Sequence, residues 1–302
     1  MNDQASLPRP FSGADYIAII LMNLMWGLNL IAVKMGVELA EPMTAAWLRQ
    51  LFVLIICIPF LKFVPGKMKE LAALGILSGG LFYIVTNLSL AASDNVAALA
   101  IAGQLGAPFS LILAVIFLKE RVARYRIVGM ALAFAGVVLL VFDPKAVDEE
   151  LGIALTAIAS MIWAICSLIQ RRMLGVPVLT IYAWVGLIGA TILLPIAFFT
   201  EPEAFARVHS LPLSTFGWIL FSALGSTVIG QGAMSYLIQR HPVSTVVPMT
   251  LATPVVAVIA AAYWFARPLT PITIAGGLIV MAGIAIVTIR TANAREGKQA
   301  AP

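Results

Sequence analysis

The chain has 302 residues, of which 61% are hydrophobic and only 11% charged, with a mean hydropathy of +1.01. Soluble domains carry about a quarter charged residues, so a soluble globular fold is excluded and a polytopic membrane protein is implied. The net charge of +5 does not point to nucleic acid, because the basic residues sit in short loops between apolar runs, which is a membrane topology signal.

A bilayer core about 30 Å thick needs about 20 apolar residues per helix. The sequence meets this at about 15–34, 42–62, 71–91, 95–118, 126–142, 151–170, 178–199, 212–238, 243–264 and 271–289. The runs are continuous rather than alternating, and far longer than the roughly 9–11 residues of a barrel strand. They predict an all-α membrane protein of ten transmembrane helices. The first run is too long for a signal-peptide core and lacks a small-residue cleavage site, so it reads as a retained helix. Cys57 and Cys166 lie inside apolar runs and read as buried small hydrophobes.

With both termini placed in the cytoplasm, only Lys34, Lys145, Arg207 and Arg267 fall outside, and Arg49 lies within a span. Every other Lys and Arg then obeys the positive-inside rule. Lys34 and Arg171, at span ends, are expected to snorkel to the interface.

The two halves resemble each other. Ala107-Pro108 followed by Gly129 and Gly136 parallels Thr253-Pro254 followed by Gly276 and Gly283. Met25-Trp26 ahead of Lys34 parallels Ile162-Trp163 ahead of Arg171. Five helices per half is an odd number, so the second half is expected to run inverted around a central cavity, a transporter signature. The expected divisions are a tail at 1–13, a first repeat at 14–143, a second at 144–290 and a tail at 291–302.

No Asp or Glu stands in the middle of any span. The candidate substrate-binding residues are therefore aromatic, amide and hydroxyl groups: Trp26, Asn29, Tyr83, Asn87, Gln104, Trp163, Ser167, Gln231, Tyr236 and Ser244. Aromatic rings give an adaptable wall, and amides and hydroxyls orient a polar end. The same polar groups also serve as glue between transmembrane helices, and either role fits them here. Arg49, Pro108, Pro248 and Pro254 are candidates for structural or gating roles. A charge inside a span is expensive unless paired; Arg49 is expected to cap carbonyls of a neighbouring helix, with a substrate carboxylate as the alternative. The prolines interrupt helices, and the freed carbonyls face a cavity or only shape packing.

Nothing suggests an enzyme. His209 and His241 fall in opposite loops, and there is no HExxH, GxSxG or Walker loop. No catalytic residue, metal or cofactor is expected.

Leu24-Met25-Trp26-Gly27 with Asn29, Arg49, Phe117-Leu118-Lys119-Glu120-Arg121 and the following Gly129 and Gly136 resemble the drug/metabolite transporter superfamily, in its ten-helix branch with two EamA-type repeats. The likeness covers about residues 14–290. Phe265-Ala266-Arg267 departs from the Lys-Glu-Arg pattern in the second half. The resemblance implies a bacterial inner-membrane exporter, nearest the YddG-like amino-acid exporter group. The expected function is export of amino acids and related small amphiphiles by a monomer in lipid, through alternating access and facilitated diffusion. The alternative is a proton-coupled multidrug or metabolite exporter. A lipid-modifying membrane enzyme or a scaffold fits less well.

Overall fold

The computed structural model describes residues 11–118, 124–141, 149–173, 175–238, 240–241, 246, 249–266 and 269–299. Among them there is no strand. Helix α1 spans Gly13–Ala40. It opens with a capping box: Ser12 Oγ accepts from Asp15 N, and Asp15 Oδ2 accepts from Ser12 N at 2.8 Å, satisfying donors that a helix start leaves orphaned. It runs past Lys34 and ends at Glu41, whose φ of 63° breaks the helix. Helix α2, Pro42–Cys57, begins at once with Pro at its first position, where a missing N–H costs nothing.

Next come α3, Met68–Leu74, a π-helical segment, Gly75–Leu81, and α4, Phe82–Ala91. They are followed by α5, Val96–Ala102, a 3-10 turn at Gly103–Leu105, and α6, Gly106–Leu118. Helix α7 spans Arg124–Val141.

The remaining helices are α8, Glu150–Arg171; α9, Val178–Thr200; the short α10, Pro202–Ala206; and α11, Leu213–Phe221. A second π-helical segment, Ser222–Gly230, leads into α12, Gln231–Ile238. Helix α13 is Ala252–Trp264, and α14, Pro271–Gln299, extends through most of the expected C-terminal tail. Among the described residues, six helical stretches are long and apolar enough to cross a membrane, and four shorter apolar helices accompany them.

Helix α2 lies along α9, and α7 along α14. Helix α1 packs on α13 and on the Ser222–Gly230 segment, while α8 packs on α4 and α6. The α7–α14 crossing is backbone against backbone. A Cβ on Gly136 would stand 2.7 Å from the Gly276 carbonyl oxygen, and one on Gly283 2.5 Å from that of Gly129. The glycines that mark the internal repeat thus meet one another, as small residues do where membrane helices approach closely. Around the outside, Ile20, Ile116, Ile158, Ile259 and Leu278 are exposed, an apolar perimeter suited to lipid.

Pro108 and Pro254 each occupy the third residue of a helix, α6 and α13. They do not kink a continuous helix. Each begins a new one after an irregular stretch: the 3-10 turn before α6 and the turn at Thr250–Leu251 before α13. Pro248 lies outside the described residues. Lys34 corrects the snorkelling expectation. It is 3% exposed, and its Nζ donates to the Leu90 and Ser93 carbonyls at 2.7 and 2.8 Å, beside Glu38 at 3.3 Å and Asp94 at 3.6 Å.

Candidate functional site

A cavity of about 390 Å³ lies where α1, α4, α5 with its following 3-10 turn, α8, the second π-helical segment, α12 and α13 converge. That volume falls in the usual range for small-molecule sites. Aromatic walls come from Trp26, Phe82, Tyr83 and Trp163, with the Phe82 and Trp163 ring centroids 5.5 Å apart. Amides come from Asn29, Gln104 and Gln231, and hydroxyls from Thr86, Ser89, Thr156, Ser160, Ser226 and Thr253. Pro254 forms part of the lining. No lining residue is charged.

Many of these polar groups are already engaged. Trp26 Nε1 donates to the Ser226 carbonyl at 3.3 Å, Ser160 Oγ to the Gly103 carbonyl at 3.2 Å, and Thr253 Oγ1 to Asn23 Oδ1 at 2.8 Å. Ser89 Oγ donates to the Gly152 carbonyl at 2.8 Å and lies 2.6 Å from Thr156 Oγ1. The accepting carbonyls of Ser226 and Gly103 belong to the π-helical segment and the 3-10 turn, where irregular winding releases backbone groups from the helical ladder. The Asn29 amide N–H₂, the Tyr83 hydroxyl and the Gln231 amide make no protein hydrogen bond among the described residues.

Six sequence candidates therefore share this cavity: Trp26, Asn29, Tyr83, Gln104, Trp163 and Gln231. Three do not line it. Asn87 is buried and donates to the Pro42 carbonyl at 2.7 Å. Ser167 Oγ donates back to the Trp163 carbonyl of its own helix at 2.9 Å. The Tyr236 ring lies under the Arg240 guanidinium, 3.7 Å away. Ser244 is outside the described residues. Thr86, Ser89, Thr156 and Thr253 were missed as lining groups, although helical spacing signals three of them. Counting three and six residues on from Tyr83 gives Thr86 and Ser89, whereas Asn87 at four turns toward α2. Thr156 stands four residues before Ser160 and seven before Trp163, on one face of α8.

Arg49 stands just behind the wall and is 5% exposed. Its Nε donates to Ser222 Oγ at 3.0 Å, Ser222 Oγ donates to Asn29 Oδ1 at 2.7 Å, and its guanidinium carbon lies 4.1 Å from the Tyr83 ring centroid. Among the described residues it caps no helix carbonyl, contrary to expectation. Among the described residues no carboxylate pairs with it, and no group of His, Cys, Asp or Glu could hold a metal ion.

Residues 14–142 and 150–289 each match the EamA-like transporter family. The chain belongs to that family. An uncharacterized transporter of Archaeoglobus fulgidus is 30% identical over 90% of this chain and 98% of its own. A probable amino-acid metabolite efflux pump of Salmonella typhimurium is 26% identical, covering 91% of this chain and 95% of its own. A solved crystal structure with 17% identity superposes with a TM-score of 0.63 over 95% of this chain and 100% of that one, and shows the shared fold. As an EamA-like membrane transporter, the protein has a small-molecule substrate, and the cavity is where its chain offers unspent polar groups beside aromatic walls.

Proposed function

We propose that this protein exports amino acids and related small amphiphilic metabolites across a bacterial inner membrane by alternating access, as two inverted five-helix repeats of ten crossings, with both termini cytoplasmic. The observation that carries this is the uncharged, aromatic-lined cavity of about 390 Å³ fed by residues of both halves. Rings and aliphatic groups accommodate varied side chains, and the free amides serve a polar end. The Salmonella relative's name as a probable amino-acid metabolite efflux pump supports the substrate class.

Reciprocal packing supports the inverted repeat. The first helix of each half packs on the third and fourth crossings of the other: α1 on the second π-helical segment and α13, α8 on α4 and α6. Both third crossings carry a π-helical segment, and both fourth crossings restart at a proline, Pro108 or Pro254. Two near-equivalent packings of this kind can open one site to either side.

The absence of a carboxylate among the lining residues favours facilitated diffusion over a proton switch built on Asp or Glu. Uptake of labelled amino acids into proteoliposomes, with and without a pH gradient, tests the proposal. Saturable uptake unaffected by the gradient is the expected outcome. Strict dependence on the gradient overturns facilitated diffusion, and no uptake of any amino acid overturns the substrate class.

A further inference from the structure

The chain Arg49–Ser222–Asn29 has a fixed direction. A guanidinium has only donors, so Ser222 Oγ accepts from Arg49 Nε at 3.0 Å. The Ser222 hydroxyl then has one hydrogen to give, and it goes to Asn29 at 2.7 Å. The atom receiving it must be the Asn29 carbonyl oxygen. That leaves the amide N–H₂ of Asn29 as the terminus of the chain, on a residue that lines the cavity. Three donors in series, with a positive charge at the far end, present hydrogens to the cavity. Each bond in such a series polarises the next, more so in a low-dielectric interior.

Among the described residues, the charge behind the relay has no counter-charge. Arg49 is 5% exposed within a membrane-spanning stretch, and among the described residues no carboxylate reaches it. Its other contact is the face of Tyr83 at 4.1 Å, which is also part of the cavity wall. A guanidinium buried in a membrane protein without a paired acid is costly and marks a functional pathway by default. Lys34, also buried, contrasts with it: it is held by two carbonyls and two carboxylates.

We propose that Arg49, Ser222 and Asn29 form a donor relay that binds the carboxylate end of the solute, with Asn29 in contact and Arg49 as the positioning charge behind it. The proposal rests on the cavity being the solute path, and it narrows the substrate class to carboxylate-bearing amphiphiles. Aromatic walls at Trp26, Phe82 and Trp163 would receive the apolar or ammonium-bearing remainder.

Three probes sharing one ring separate the charges: L-phenylalanine, L-phenylalaninamide and hydrocinnamate. Binding is read as thermal stabilisation of purified protein, and transport as proteoliposome uptake, for wild type, Arg49→Gln, Arg49→Lys and Ser222→Ala. Wild type is expected to favour the two carboxylates over the amide. In Arg49→Gln and Ser222→Ala that preference collapses about tenfold or more, through KM rather than maximal rate, because the two carboxylates lose far more than the amide. Arg49→Lys retains part of the preference. Should Arg49→Gln fail to fold, Ser222→Ala carries the test, since it breaks the relay and keeps the charge. A wild type with no carboxylate preference in binding, or variants that keep it or lose all three probes equally, overturns the relay. Carboxylate-selective binding without any uptake supports the relay and overturns the export function instead.

Discussion

Trp26 Nε1 donates to the backbone carbonyl of Ser226 at 3.3 Å, tying the first helix to the second π-helical segment at the cavity wall. The contact requires Gly230, where any Cβ would collide with the indole ring. Gly230→Ala is therefore expected to push the ring off its position and cut transport more than tenfold. Trp26→Phe keeps an aromatic ring at this place but is smaller and loses the hydrogen bond, worth about 1 kcal/mol, so a severalfold loss is expected. Initial rates in proteoliposomes, normalised to folded protein, rank the two. A Gly230→Ala loss no larger than that of Trp26→Phe would show that Gly230 does not set the ring's placement.

Lys34 closes off the carbonyls of Leu90 and Ser93 at the end of α4. Lys34→Met leaves both without that donor in a buried setting, which costs about 1–3 kcal/mol. A snorkelling lysine replaced by Met would cost close to nothing. Thermal unfolding of the purified variant separates the two cases, and a clear fall in Tm is expected.

The order of helices was legible because continuous apolar runs report membrane spans directly, and the repeat was legible because glycines and prolines carry backbone geometry in their own identity. The cavity was half legible. Trp26 and Trp163 stood out as deep aromatics at equivalent places in the two halves. Asn87 and Ser167 stood out equally as polar residues in a span, yet one turns to the Pro42 carbonyl and the other to its own helix. A polar side chain within hydrocarbon must find a partner, and composition does not say whether that partner is backbone or solute. Lys34 and Arg49 were misread for a related reason: whether a cation lies on carbonyls, a hydroxyl or the lipid surface depends on packing between distant segments.

The start of α2 is capped from a distance. Glu41 makes no side-chain capping bond, and Glu201, just after α9, accepts from Met43 N and Thr44 N at 2.8 Å each. A carboxylate there also complements the positive end of the helix dipole. Glu201→Ala is expected to cost about 1–2 kcal/mol, with Glu201→Gln less, since it keeps one acceptor. The pair of Tm values in detergent checks the order. Identical Tm values for wild type and Glu201→Ala would show that the cap adds nothing.

The α7–α14 crossing offers a test with an internal control. At Gly136 and Gly283 a Cβ would press on the facing backbone, at 2.7 Å from Gly276 and 2.5 Å from Gly129. Backbone cannot rotate away as a side chain can, so the helices must separate. Gly136→Ala and Gly283→Ala are each expected to destabilise by roughly 1–3 kcal/mol, in the range for overpacking. Together they should fall short of the sum, because one separation relieves both clashes. Gly217 and Gly232 also lie in helices but face open space, with nothing within 4 Å of an added Cβ. Alanine there should be neutral or slightly stabilising, since it restricts the unfolded chain. Thermal unfolding of all four single variants decides it. Equal losses at the crossing and at the control glycines would mean that close helix approach is not what these glycines provide.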